Sequence, residues 1–369
     1  MLISENNFHL LYHILYGLSF LIVFLAAVTI DARRRSVVTN LFLNKICIMI
    51  IVLFIGLIGF REYNVGSDTA SYYYYNWILD AKSTISTEIL FDFIIQFIKD
   101  QDFSFTFFLL LIAMIFFANI TLSFINIANV LKVNVFFIFF IFISLFFSKS
   151  LSINVIRQGL SLSFLLLTYG SWINNKSTFT YLCPLILAII THTTSLIPIT
   201  IFITSYFLSK KGNSNFYIII YFSSIAVSFY NVGILTFAPF LKGFFEGTYR
   251  ADYFTDKSDL YATGFKPQFV AFNSVFLILS WYVQNKILKK DGTLYNMYKV
   301  IFLYYILSSI VFFMMFQIPY SDRFGLFSWI VIPVLIAPFL TYERSLIKYK
   351  SPFIMFFLII YIFFAVYGN

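Results

Sequence analysis

A chain of 369 residues that is 60% hydrophobic and 11% charged, with 51 phenylalanines, has too little polar surface to be a soluble domain. Its mean hydropathy is +0.88, and its apolar runs are near the length of about 20 residues at which a helix crosses a bilayer, whereas the short alternating segments of a β-barrel are missing. A net charge of +9 would suggest nucleic acid in a soluble protein, but here it reads as lysine and arginine in cytoplasmic loops, so nucleic acid is excluded as a partner.

The first apolar run, 8–30, lacks a basic leader and is followed by Arg33-Arg34-Arg35, so it is read as a retained span. Further runs lie at 41–60, 104–127, 133–147, 155–173, 179–190, 196–208, 216–238, 269–286, 300–318, 324–340 and 353–366. The two short ones flank Thr191-His192-Thr193-Thr194-Ser195 and predict a broken helix pair with a polar junction. The expected fold is an all-α polytopic membrane protein, with about 11–12 transmembrane helices in a single integral membrane domain over residues 1–369. With both termini outside, most of the 25 basic residues fall on the inner side, where the acids are Asp31, Asp291 and Glu343. Cys47 and Cys183 sit in apolar runs and predict neither a disulfide nor a metal cluster.

Two outward segments are too long for plain connectors. In 61–103, residues 86–99 carry Glu88, Asp92, Gln96 and Lys99 at helical spacing against Ile89, Phe91, Ile94, Ile95 and Ile98, which predicts an amphipathic helix on the outer membrane face. The loop 239–267 interleaves basic residues with aromatics, and reads as a lid or as an interfacial loop anchored by its rings.

The outward half also holds Arg61, Arg157, Arg250 and Arg323. A guanidinium stays protonated and presents a fork of donors matched to phosphate oxygens, so these four are candidate diphosphate ligands without a metal. Arg61 opens Arg61-Glu62-Tyr63-Asn64-Val65-Gly66-Ser67-Asp68, read as the lip of an active site. The alternatives are that Arg61 pairs with Glu62 as an interfacial anchor, that Ser67 or Asp68 is a helix cap, that Arg157 anchors its helix and that Arg323 pairs with Asp322. His192, with a near-neutral pKa, suits a catalytic base, or else helps satisfy helix ends. No phosphate loop, zinc-protease motif or nucleophile elbow is present, and no cofactor is expected.

In chain order, Arg61 with Gly66-Ser67-Asp68 and the following tyrosines, Ile156-Arg157-Gln158, His192 near a short helix, and Asp322-Arg323 resemble the EpsG-like and Wzy-type polysaccharide polymerases. Ser67 stands where threonine is more usual before that aspartate, and keeps the hydroxyl. The resemblance implies a bacterial inner-membrane glycosyltransferase that joins undecaprenyl-diphosphate-linked repeat units on the periplasmic face, as in O-antigen synthesis for lipopolysaccharide. It makes the lipid-linked glycan, the bilayer and a chain-length regulator the expected partners. By the same resemblance Asp68 or His192 acts on the acceptor hydroxyl, and Tyr72, Tyr73, Tyr75, Tyr249 and Tyr253 meet sugar rings. An O-antigen ligase and a lipid-linked glycan flippase stay open as alternatives.

Overall fold

The computed structural model describes residues 2–33, 37–79, 88–211, 214–237, 263–288, 292–340 and 350–367. Among these, helix is the dominant element and extended pairing is confined to one isolated bridge between Ile3 and Arg61. The chain is an all-α polytopic membrane protein. Five helices are long and apolar enough to cross a bilayer, namely Glu5–Thr29, Leu41–Gly59, Phe105–Leu131, Gly292–Met314 and Asp322–Leu340, and a bent pair makes a sixth. The larger number of crossings read from sequence also counts shorter apolar helices such as Thr178–Thr191 and Ser214–Phe229.

The contacts divide the chain into two compact units, residues 1–196 with 337–369, and residues 197–336. The first contains α1 (Glu5–Arg33), α2 (Val37–Gly59), α3 (Ser67–Tyr72), α4 (Ile89–Asp100), α5 (Phe105–Leu131), α6 (Val135–Ser144), α7 (Phe146–Ile153), α8 (Ile156–Ile173), α9 (Thr178–Thr191) and a C-terminal helix, Ser351–Tyr367. Small and polar residues let α5 and α8 approach closely. A Cβ on Gly170 would lie 2.6 Å from Ser123 Oγ, Ser123 Oγ donates to Leu166 O at 2.6 Å, and Asn119 Nδ2 donates to Ser163 Oγ at 3.1 Å. These bonds satisfy polar groups where lipid offers no partner.

The run read as one span over 133–147 is two helices. α6 is buried all round and ends at Leu145, whose extended backbone turns α7 away by 84°. α7 then runs to the start of α8. Two glycines explain themselves at this junction. Gly159 in α8 packs on α7, where a Cβ would lie 2.0 Å from Leu151 O. Gly66 has φ 102° and ψ 122°, a conformation that other residues adopt only under strain, and a Cβ there would lie 2.2 Å from Ile153 O.

The amphipathic helix predicted over 86–99 appears as α4, beginning at Ile89 and burying Phe91, Ile95 and Ile98. Residues 80–87 ahead of it lie outside the described ones, as do residues 238–262 of the second long segment.

The second unit is built on Ser214–Phe229, Pro267–Tyr282 and Gly292–Met314, with Asp322–Trp329 packed on the last. Trp329 fills its core and donates from Nε1 to Asn273 Oδ1 at 2.7 Å. The hydroxyls of Tyr304 and Tyr305 donate to Phe327 O at 2.9 Å and Asn273 O at 2.8 Å. These two buried phenols thus find backbone acceptors, as an apolar surrounding demands.

Candidate active site

Arg61 leaves the end of α2 and turns inward, with 1% of its surface exposed. Nε donates to Val65 O at 3.3 Å, Nη1 to Ile58 O, and Nη2 to Thr69 Oγ1 at 3.2 Å and Ile153 O at 3.4 Å. Thr69 Oγ1 also donates to Ile153 O, at 2.6 Å. Burial pushes the guanidinium down to about 9, which leaves it charged at neutral pH. Its partners are therefore carbonyls and a threonine rather than Glu62, and they tie the end of α2, the Gly66 turn and the end of α7 into one knot.

Gly66 is the N-cap of α3 and carries no side chain that could cap it. The cap comes from the α7–α8 junction. Asn154 Oδ1 accepts from the Asp68 N–H at 3.3 Å and from Ser67 Oγ at 2.9 Å. One amide oxygen thereby satisfies a donor that the first turn of a helix leaves without an intrahelical partner. Gly66→Ala is expected to lower folded yield: the positive φ alone costs about 1–3 kcal/mol, and the methyl meets backbone that cannot yield. Thermal unfolding of the purified variant in detergent, compared with wild type, measures it.

Glu88, the first described residue after Leu79, forms the N-cap of α4 with a fully buried side chain. Its Oε2 accepts from Arg157 Nη1 in the first turn of α8, and its Oε1 meets His192 Nδ1. His192 has extended backbone between α9 and the 3-10 turn Thr193–Ser195. Since an ionised carboxylate only accepts, Nδ1 carries the hydrogen and the lone pair of the neutral ring sits on Nε2. Side-chain exposure grades from 0% at Glu88 through 15% at His192 to 29% at Arg157. The acid is thus the hidden base of the cluster, and a guanidinium and an imidazole are what it presents outward.

Arg157 also lies over aromatic faces, 5.2 Å from the centre of Tyr72 and 5.8 Å from that of Phe91. Burial pushes the Tyr72 phenol up, against the opposing pull of Arg157, so its hydroxyl stays protonated at neutral pH. A cation held between a carboxylate and two rings is fixed in direction at little entropic cost.

Of the residues singled out from sequence, the fold brings Arg157, His192 and Tyr72 to one cluster around Glu88. Asp68 is half-buried on the first turn of α3. Tyr73 stacks on Tyr63 with centroids 4.4 Å apart, whereas Tyr75 is exposed. Arg323 belongs to the second unit, where it begins Asp322–Trp329 with its guanidinium 4.9 Å from the Tyr320 ring centre. Arg250, Tyr249 and Tyr253 lie outside the described residues. Glu88 was not among the expected site residues: at helical spacing with Asp92, Gln96 and Lys99 it reads as one more member of a polar face.

The family model described as the EpsG family matches residues 44–369. No curated protein and no solved structure matches the chain. The matched stretch contains every member of the Arg61 knot and of the Glu88 cluster.

Proposed function

Because this chain belongs to the EpsG family, a family of polysaccharide polymerase type, we propose that it extends a glycan carried on undecaprenyl diphosphate by transferring the growing chain onto an incoming repeat unit at the outer face of the bacterial inner membrane. The observation that carries this reading is the Arg157–Glu88–His192 cluster. In the reaction an acceptor hydroxyl oxygen bonds to the anomeric carbon of the donor, the bond from that carbon to the diphosphate oxygen breaks, and undecaprenyl diphosphate leaves with the bonding pair. His192 Nε2 takes the hydroxyl proton, while Glu88 fixes the ring through Nδ1 and stabilises the imidazolium that forms. Arg157 offsets the charge that develops on the leaving diphosphate. Tyr72 and the exposed Tyr75 supply faces for sugar rings, and Asp68 flanks the acceptor side.

The test is reconstitution of purified protein in lipid nanodiscs with a lipid-linked repeat unit of the host. Products longer than one repeat, formed with stoichiometric release of undecaprenyl diphosphate and without added nucleotide, are the expected result. Transfer of a single repeat to a different lipid, or movement of the substrate across the bilayer with no new bond, would assign the protein to ligation or to transport instead.

A further inference from the structure

Lys149 and the two histidines of α1 take no part in the chemistry above, yet in the first unit they line one cavity of about 680 Å³, within the range of about 300–1,000 Å³ typical of ligand pockets. Lys149 projects from α7 just past the Leu145 bend. Its Nζ lies 2.9 Å from His9 Nδ1 and 5.5 Å from the centre of the Tyr12 ring. Nζ only donates, so His9 Nδ1 accepts and its hydrogen sits on Nε2, 4.0 Å from Glu5 Oε1. Deeper along α1, His13 Nδ1 is 2.7 Å from the Tyr361 hydroxyl of the C-terminal helix. Among the described residues no carboxylate comes within ion-pair distance of Lys149.

A half-buried ammonium among aromatic rings, next to an imidazole rather than an acid, sits in a surrounding where positive charge is costly. A ligand that brings negative charge removes the cost. The rest of the wall says what kind of ligand. Ser67 and Asn154, the pair that caps α3, face the cavity beside Ser150, while Phe146 and Phe364 line it with rings. Polar donors around a cation on one side and an apolar wall on the other match an amphiphile with a phosphate head. The wall formed by Gly66, Ser67, Ile153 and Asn154 is also part of the Arg61 knot, so the cavity is built on the same junction that sets Arg157 at the start of α8.

We propose that this cavity is a second phosphate subsite, which takes the diphosphate head and first isoprene units of a polyprenyl diphosphate, with Lys149 as its principal cation. The proposal rests on the polymerase reading: transfer between two lipid-linked glycans requires two diphosphate heads to be held at once, and the Glu88 cluster engages one. Glycerophospholipids carry the same phosphate chemistry, so the two sources must be separated by experiment.

The probe is undecaprenyl diphosphate without glycan, added to full-length protein in phosphatidylcholine nanodiscs, and the readout is bound lipid per protein by native mass spectrometry. Wild type is expected to bind two, and Lys149→Met, which keeps length and loses charge, to bind one, with affinity for the other at least tenfold weaker. Lys149→Arg should restore the second. If Lys149→Met does not yield folded protein, Ala365→Trp fills the cavity from the C-terminal helix and should likewise leave one. Two lipids bound to either variant would overturn the subsite, as would displacement of the Lys149-dependent lipid by phosphatidylglycerol at equal concentration. Failure of the polymerase reading is distinguishable: the nanodisc transfer assay would then show no extension while two polyprenyl diphosphates still bind.

Discussion

Glu88→Gln is expected to lower the rate of glycan extension by about a hundredfold or more, within the range of about 10²–10⁴ that a positioned general base contributes. The amide keeps the shape of the carboxylate and loses its charge. It offers His192 Nδ1 and Arg157 Nη1 one carbonyl oxygen where two carboxylate oxygens accepted from them. Either the imidazole loses the partner that fixes its hydrogen on Nδ1, or the guanidinium loses its counter-ion. Breaking a buried ion pair from one side costs about 3–5 kcal/mol, so thermal unfolding of the variant must be measured beside its rate. Glu88→Asp keeps the charge and shortens the reach, and is expected to recover stability more than rate. Arg157→Lys keeps a cation over Tyr72 but loses the fork, and should give single-repeat glycolipid in place of a long ladder with normal protein level. A normal ladder and rate in Glu88→Gln would remove the cluster from the chemistry.

That Arg157 and His192 are legible from sequence and Glu88 is not has a physical reason. A guanidinium at the mouth of an apolar run and a histidine between two apolar runs are costly where they stand, so each signals a partner or a task. Glu88 precedes Ile89, Phe91, Ile95 and Ile98 at a spacing that lets it pass for the solvated side of an amphipathic helix. The helix in fact begins one residue later, and at the N-cap the side chain is fully buried. Periodicity assigns faces inside a helix and says little about residues at its ends. The bend at Leu145 is hidden for a related reason: neither glycine nor proline marks it, and the break between two phenylalanine-rich stretches depends on the packing of α6 against its neighbours. Helical character and membrane class, by contrast, follow from composition, because lipid leaves the backbone no alternative. Arg61 shows the limit most clearly, since three of its four acceptors are backbone carbonyls, and no residue type advertises those.

Arg61→Lys is therefore expected to act on folding before it acts on substrate. The guanidinium spreads donors from Nε, Nη1 and Nη2 over Val65 O, Ile58 O, Ile153 O and Thr69 Oγ1. An ammonium is a compact charge with its three donors on one atom, and it cannot span acceptors set on opposite sides of a planar fork. Each buried carbonyl left without a donor costs about 1–3 kcal/mol, and the charge remains to be solvated in a site that is 1% exposed. Loss of the knot releases Thr69 and the Gly66 turn from Ile153, and with them the end of α7 and the first turn of α8 that carries Arg157. Arg61→Lys should thus lower both the unfolding temperature and the amount of membrane-inserted protein, with the glycan ladder falling in proportion to folded protein. Arg157→Lys should do the reverse, losing the ladder at constant protein. Should Arg61→Lys keep the wild-type unfolding temperature and expression while extension stops, Arg61 would contact the diphosphate directly, and the knot of carbonyls would describe a resting state from which the guanidinium is released when substrate binds.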